Sequence, residues 1–304
     1  MASFIKFDQI AKKVNNKNLL ANFSLGVQKD EVLFILGQPD SGKSTLFKIL
    51  MGFIEKDKGS IFIDGMNYDK RKEESLSMIS YLEQENIFDK NLSILQNLYF
   101  YGELKGMDLS FLEKEVLRWA EILNFRQYLN IFPYEISFQT LRKISLARCL
   151  LTNPQILLLD NPTLGMNFFD KKIFWQIINE YKKDKSVLCI SQDFEETELY
   201  SDRVVIMHNG SVSMNSSLVN INKQINATYT YQFIFKKIVP HEFLKLMKAD
   251  SNIKNIISRE RYFEFSTKEK PIFFKAFQTA LNYELIDLKF NYSKLNELYL
   301  KVTE

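Results

Sequence analysis

Cysteine is scarce: the 304 residues contain two, Cys149 in a helical pattern and Cys189 in an apolar strand pattern. Such a pair points to buried free thiols of a reducing compartment, not to redox chemistry. Long apolar runs are also missing. None reaches the ~18 residues of a membrane span, and Met1-Ala2-Ser3-Phe4 lacks a signal-peptide layout, so the chain is expected to be cytosolic and able to sit on a membrane protein. Charge of one sign is missing too. A net charge of +3, with lysines dispersed among acids, leaves no basic block for nucleic acid. No period of roughly 20 to 50 residues recurs, which excludes repeat architectures.

The length exceeds what one core usually supports, so a large and a small domain are expected. Hydrophobic content of 46% with 25% charge is globular composition, which argues against a disordered chain. The first ~220 residues alternate strand and helix signals, as an α/β domain should. Strand-like runs fall at 4–7, 32–36, 60–63, 78–82, 156–160, 187–191 and 203–207. Between Asn91 and Leu151 the pattern is helical only, an all-α insert in which Leu117, Ala120, Ile122 and Leu123 are spaced for a buried face. The polar stretch Asn215–Asn226 reads as a linker, giving domains at 1–220 and 227–304. Beyond it the order β-α-β-β-α-β predicts a small α+β, ferredoxin-like domain with Tyr229, Tyr231, Phe233 and Phe235 on one strand face. That face is expected to pack on helices, not to stack bases. A last helix over 294–302 would be capped by Ser293.

The most informative stretch is Gly37-Gln38-Pro39-Asp40-Ser41-Gly42-Lys43-Ser44-Thr45, entered from the apolar run 32–36 and followed by a helical pattern. It is a phosphate loop: the strand aims it, backbone N–H groups wrap phosphates, and the helix N-terminus adds positive potential. Lys43 would reach the terminal phosphates and Ser44 would hold Mg²⁺. Asp40 is unusual, because an acid there repels phosphate unless its carboxylate points to solvent. Downstream, Ile156–Asp160 is an apolar strand ending in a carboxylate, the form of a Walker B strand whose Asp160 holds Mg²⁺ through water.

Over residues ~3 to ~215 these landmarks resemble the nucleotide-binding subunits of ABC transporters. The resemblance implies a P-loop ABC ATPase core with ATP and Mg²⁺ as cofactors. It places Gln84 as the Q-loop glutamine near Mg²⁺, Ile136-Ser137-Phe138-Gln139-Thr140 at the Leu-Ser-Gly-Gly-Gln signature, and Ser191-Gln192 at the switch-histidine turn. The departures matter more. Asn161 stands at the catalytic glutamate, Gln192 at the switch histidine, Phe138 and Gln139 at the signature glycines, Val14 at the adenine-stacking aromatic, and Met166-Asn167 at the Leu-Asp after the Walker B turn. His208 and His241 lie too far along the chain to replace the switch.

An amide has negligible basicity, and losing a general base costs roughly 10²- to 10⁴-fold. The expectation is a site that binds MgATP through Lys43, Ser44, Asp160 and Gln84 but hydrolyses it poorly, with no intact catalytic residue. Two alternatives are an active ATPase with a substitute water-positioning residue and a soluble ABC protein outside transport. The family works as head-to-tail dimers, so the resemblance implies a second, more conventional ATPase subunit and an integral-membrane permease at the cytoplasmic face of the membrane. The permease would dock beside the Q-loop, where Ile87, Phe88, Leu92, Ile94 and Leu95 form an apolar cluster. The helical insert and the ending 295–303 also resemble the ATPases of bacterial exporters for antibiotics, bacteriocins and small peptides.

Overall fold

The computed structural model describes residues 3–15, 17–224, 229–267, 269–291 and 294–303. The chain divides into two compact units, Met1–Leu218 with Val302–Glu304, and Val219–Lys301. The first unit runs β1 (Ile5–Val14), β2 (Lys17–Val27), β3 (Glu31–Gly37), α1 (Lys43–Leu50), β4 (Lys58–Ile63), β5 (Met66–Asn67), α2 (Lys72–Ser77) and β6 (Ile79–Leu82). The helical insert follows as α3 (Ile94–Leu104), α4 (Leu109–Ile122) and α5 (Phe138–Leu150). The chain then returns through β7 (Ile156–Asp160), α6 (Phe168–Tyr181), β8 (Ser186–Ile190), α7 (Phe194–Tyr200), β9 (Arg203–His208) and β10 (Ser211–Ser217), with α8 (Leu218–Gln224) after it.

Two sheets result, an antiparallel one in the order β2-β1-β4-β5 and a larger one in the order β10-β9-β3-β8-β7-β6. In the larger sheet β9, β3, β8, β7 and β6 are parallel. Strands β3, β7 and β8 are buried at every position, as expected when both faces of a parallel sheet are covered. Alternation along these strands builds two cores. Phe34, Leu157, Leu159 and Val187 face the insert through Leu98, Val116 and Ile144. Leu33, Ile35, Leu158 and Leu188 face Phe47 and Leu50 of α1 and, beyond them, Phe7, Phe23 and Ile61 of the antiparallel sheet. Both cysteines are buried and free, and burial pushes the Cys149 thiol up to about 12, out of reach of thiolate chemistry.

Three strands of the first unit escape the sequence pattern: the two-residue β5, β2 and β10. Strand β2 pairs with β1 through repeated register shifts, and residues such as Gln9 and Asn22 take positive φ. Bulges of that kind break the two-residue alternation by which a strand is read. Strand β10 replaces the first part of the expected linker: it forms a hairpin with β9 across Asn209-Gly210, both at positive φ. Its Ser/Asn composition suits the half-exposed edge of a sheet.

The second unit comprises β11 (Tyr229–Phe235), α9 (His241–Ala249), β12 (Ile253–Arg259), β13 (Tyr262–Thr267), α10 (Lys270–Leu281), β14 (Leu285–Asn291) and α11 (Lys294–Thr303). Its antiparallel strands lie in the order β12-β13-β11-β14. Tyr231, Phe233 and Phe235 are buried against α9 and α10 in a core with Phe243, Phe263 and Phe265. The stripe therefore faces inward and offers no stacking platform; the ring of Tyr229, the cap Ser293 and residues 225–226 of the expected linker lie outside the described residues. Phe243 packs edge-on to Phe235 at 5.2 Å and to Phe263 at 5.0 Å. Replacing it with alanine should destabilise this unit by about 3–5 kcal/mol, the usual cost of removing a buried phenylalanine. Denaturant titration followed by hydrogen exchange at β11 and β13 reads the loss, and unchanged protection there would contradict this packing.

Candidate nucleotide site

The loop between β3 and α1 is shaped by glycine and closed by lysine. Gly42 caps α1 at φ +98, where a Cβ would come within 2.2 Å of the Leu19 carbonyl oxygen. No other residue fits without moving that strand. Lys43, buried at 7% exposure, turns its Nζ back into the loop and donates to Gly37 O at 2.7 Å, Gln38 O at 2.8 Å and Ser41 Oγ at 3.1 Å. Burial lowers its pKa below the usual 10.5, with Asp160 and Asp40 opposing. The unusual Asp40 is resolved by its direction: its carboxylate is exposed and pairs with Lys17 at 3.2 Å on the β1–β2 hairpin. Val14, at the end of β1 in that hairpin, is exposed.

Asp160 ends β7 beside the loop. It accepts from Ser44 Oγ at 3.2 Å, from the Tyr81 hydroxyl at 3.3 Å and from Asn161 Nδ2 at 3.0 Å. Burial raises its pKa, and those three donors hold it down. Asn161 also donates to Gln84 Oε1 at 3.2 Å, and its backbone N–H reaches Ile190 O of β8 at 2.8 Å. The structure thus brings Lys43, Ser44, Gln84, Asp160 and Asn161 together. Gln192 is exposed on the turn after β8. His208 closes β9 with its ring against Asn209, and His241 opens α9 in the other unit.

Arg142, on α5, is fully buried and binds five backbone carbonyls. It donates to Pro162 O at 2.7 Å, Asp160 O and Asn161 O at 3.0 Å, Gln84 O at 3.3 Å, and Glu83 O. Burial pushes its pKa down to about 10. Ahead of it Ile136 is buried, and Ser137 caps α5 by accepting from the Thr140 N–H at 3.3 Å. The two side chains at the glycine positions fold onto a neighbouring loop. Gln139 Nε2 donates to Gly165 O at 2.7 Å, and a Cβ at Gly165 would meet the Phe138 ring at 3.0 Å. Behind the switch turn, Glu196 is buried, accepts from Thr163 Oγ1 at 2.7 Å and pairs with Lys171 at 2.8 Å.

Tyr81, Arg142 and the Thr163–Glu196–Lys171 set are not found by motif reading. A signal for Arg142 exists: Arg142, Ser145 and Cys149 share one helical face, and all three are buried.

Residues 20–164 match the family model "ABC transporter". The chain is 32% identical over 232 residues to the mouse glucosylceramide transporter ABCA12, and 25% identical over 229 residues to the mouse phospholipid-transporting ATPase ABCA3. Those matches cover 76% and 74% of this chain but 9% and 13% of the relatives, so the chain spans about a tenth of their length. Among solved structures, an ATP-binding subunit of an ABC transporter superposes with TM-score 0.68 at 22% identity, covering 73% of this chain and 93% of that one. The ADP- and Pi-bound dimeric cassette MJ0796 gives 0.64 at 22%, covering 70% and 98%. The chain contains an ATP-binding domain of the ABC type.

Two outcomes follow from this geometry. Arg142→Lys keeps the charge but loses the planar fork of donors, stranding buried carbonyls at about 1–3 kcal/mol each. The variant should lose at least about 2 kcal/mol in urea titration, and wild-type stability would contradict the clamp. For Lys43, bound polyphosphate raises the amine's pKa, so binding takes up a proton at alkaline pH and ATP affinity falls as pH climbs past the depressed free-site value. Calorimetry in buffers of different ionisation enthalpy should register that uptake at alkaline pH and not at neutral pH. Equal proton counts at both would contradict it.

Proposed function

We propose that residues 1–220 are the nucleotide-binding domain of an ABC exporter that binds MgATP and hydrolyses it poorly, and that residues 227–304 form a ferredoxin-like accessory domain. The observation that carries this reading is the engagement of Asn161. Its amide N–H₂ donates both to Asp160 Oδ1 and to Gln84 Oε1, so the position where the family keeps a carboxylate serves as a hydrogen-bond donor between two acceptors. Neither an amide nor the exposed Gln192 can accept a proton from water at neutral pH. Binding groups remain in place. The backbone N–H groups of Gly37 to Thr45, Pro39 excepted, and the Lys43 ammonium suit phosphates, and the hard oxygen donors of Ser44, Asp160 and Gln84 suit Mg²⁺. Bound Mg²⁺ would offset phosphate charge and relieve the burial that raises the Asp160 pKa.

In this reading the chain works at the cytoplasmic face of a membrane, with an integral-membrane permease and a second, more conventional ABC ATPase subunit whose catalytic groups act opposite Ile136–Thr140. The relatives' names point to lipids, and an amphiphilic cargo fits both them and the exporter resemblance. The permease contact is narrower than the apolar cluster 87–95 suggests. Ile94 is buried in the insert core and Phe88 and Leu95 pack against it, so docking falls to the exposed Ile87 and half-buried Leu92.

Rebuilding the site tests the proposal. Asn161→Glu by itself places a second carboxylate beside Asp160 without restoring the γ-phosphate sensor, and should recover little steady-state hydrolysis. Asn161→Glu with Gln192→His should exceed the sum of the two single variants, because both positions act on one reaction coordinate. Turnover of several per second by the unmodified chain, or full recovery with Asn161→Glu alone, would reject it.

A further inference from the structure

The nucleotide site occupies one end of the parallel sheet, where β3 runs into the phosphate loop and β7 ends in Asp160. At the opposite end, where Asn153 precedes β7 and Lys183 and Lys185 precede β8, lies a cleft of about 480 Å³. That size falls within the range of about 300–1,000 Å³ typical of small-molecule sites. Helix α4 forms one wall with Phe111, Trp119 and Ile122, and the C-terminal half of α6 forms the other with Ile177 and Tyr181. Phe111 and Ile122 are 54% and 46% exposed, large apolar side chains left open to the cleft although it is flanked by buried core.

The rim is cationic in an ordered way. Lys185 Nζ sits 3.7 Å from the centre of the Tyr181 ring and donates to the Asn153 side-chain oxygen, so a neutral amide and a π face are its recorded partners. Burial lowers its pKa, a cost that an anion would reverse. Lys183, exposed, lines the cleft beside it. Arg118 lies over Trp119 at 4.5 Å and is paired with Glu115 at 3.2 Å. Glu180 is the remaining acid of the lining. A trough that combines large apolar side chains with two lysines beside Asn153 suits a molecule that is both apolar and anionic.

We propose that this cleft binds a free amphiphilic monoanion, with its apolar body between α4 and α6 and its carboxylate or similar head at Lys185 and Lys183. The site is separate from the nucleotide site and does not depend on the functional reading of that site. Decanoate, below its micellar concentration, is the probe, with decanol as the neutral comparison and the full chain in the calorimeter. Decanoate should bind saturably at one site per chain and at least fivefold more tightly than decanol. Lys183→Met with Lys185→Met should remove that preference, and Ile177→Asp should abolish binding. Phe111→Ala, at an exposed position, should weaken it should Ile177→Asp fail to fold. Lys43→Ala should leave decanoate binding unchanged. Absence of saturable binding, equal affinity for decanol, full affinity in the double lysine variant, or loss on Lys43→Ala would each overturn the proposal.

Discussion

A single buried guanidinium holds the candidate site in register. Arg142 reaches from α5 to carbonyls on two other segments, the stretch after β6 at Glu83 and Gln84 and the end of β7 with the turn beyond it at Asp160, Asn161 and Pro162. These three segments lie apart in sequence, and the two that supply the carbonyls are largely irregular where they meet the helix. A neutral residue could not satisfy five carbonyls at once. The planar fork of arginine can. Burying the charge costs enough to push the pKa down to about 10, and the carbonyl dipoles are what solvate it. The position of Gln84 and Asn161 beside Asp160 follows from this clamp.

Electrostatic balance around Asp160 then explains why an asparagine is at home next to it. The carboxylate is 4% exposed and its pKa is raised, so a second unscreened acid at position 161 would add repulsion where water cannot relieve it. Asn161 instead supplies a donor to Asp160 and another to Gln84. Lys43 shows the complementary imbalance, an ammonium in a buried loop whose pKa is lowered. One buried cation and one buried anion each bear a desolvation cost, which in the proposed function phosphate and Mg²⁺ would offset.

Much of this was legible in the sequence where the physics is local. The phosphate loop, the apolar strands β3, β7 and β8, the helical insert and the β-α-β-β-α-β order of the second unit each follow from short periodic patterns or fixed spacings. The missed strands are those whose pattern is broken by a partner. Bulges at residues such as Gln9 and Asn22 disrupt the alternation in β1 and β2, and β10 is polar because it lies at a sheet edge. The site motifs were found because they are contiguous. Arg142, Tyr81 and Glu196 were not, because their meaning lies in distant partners: 33 residues separate Thr163 from Glu196, 59 separate Glu83 from Arg142 and 79 separate Tyr81 from Asp160. The apolar cluster at 87–95 is not one surface: α3 turns Ile94 inward, whereas Ile87, in the irregular segment before that helix, is exposed.

The central claim is that this chain holds ATP without consuming it. The direct measurement is the identity of the nucleotide retained: the full chain is incubated with MgATP, freed of unbound nucleotide by rapid gel filtration, denatured, and its bound nucleotide separated by ion-exchange chromatography over a time course. The account predicts that the retained nucleotide remains ATP for many minutes. Conversion to ADP within seconds would contradict it.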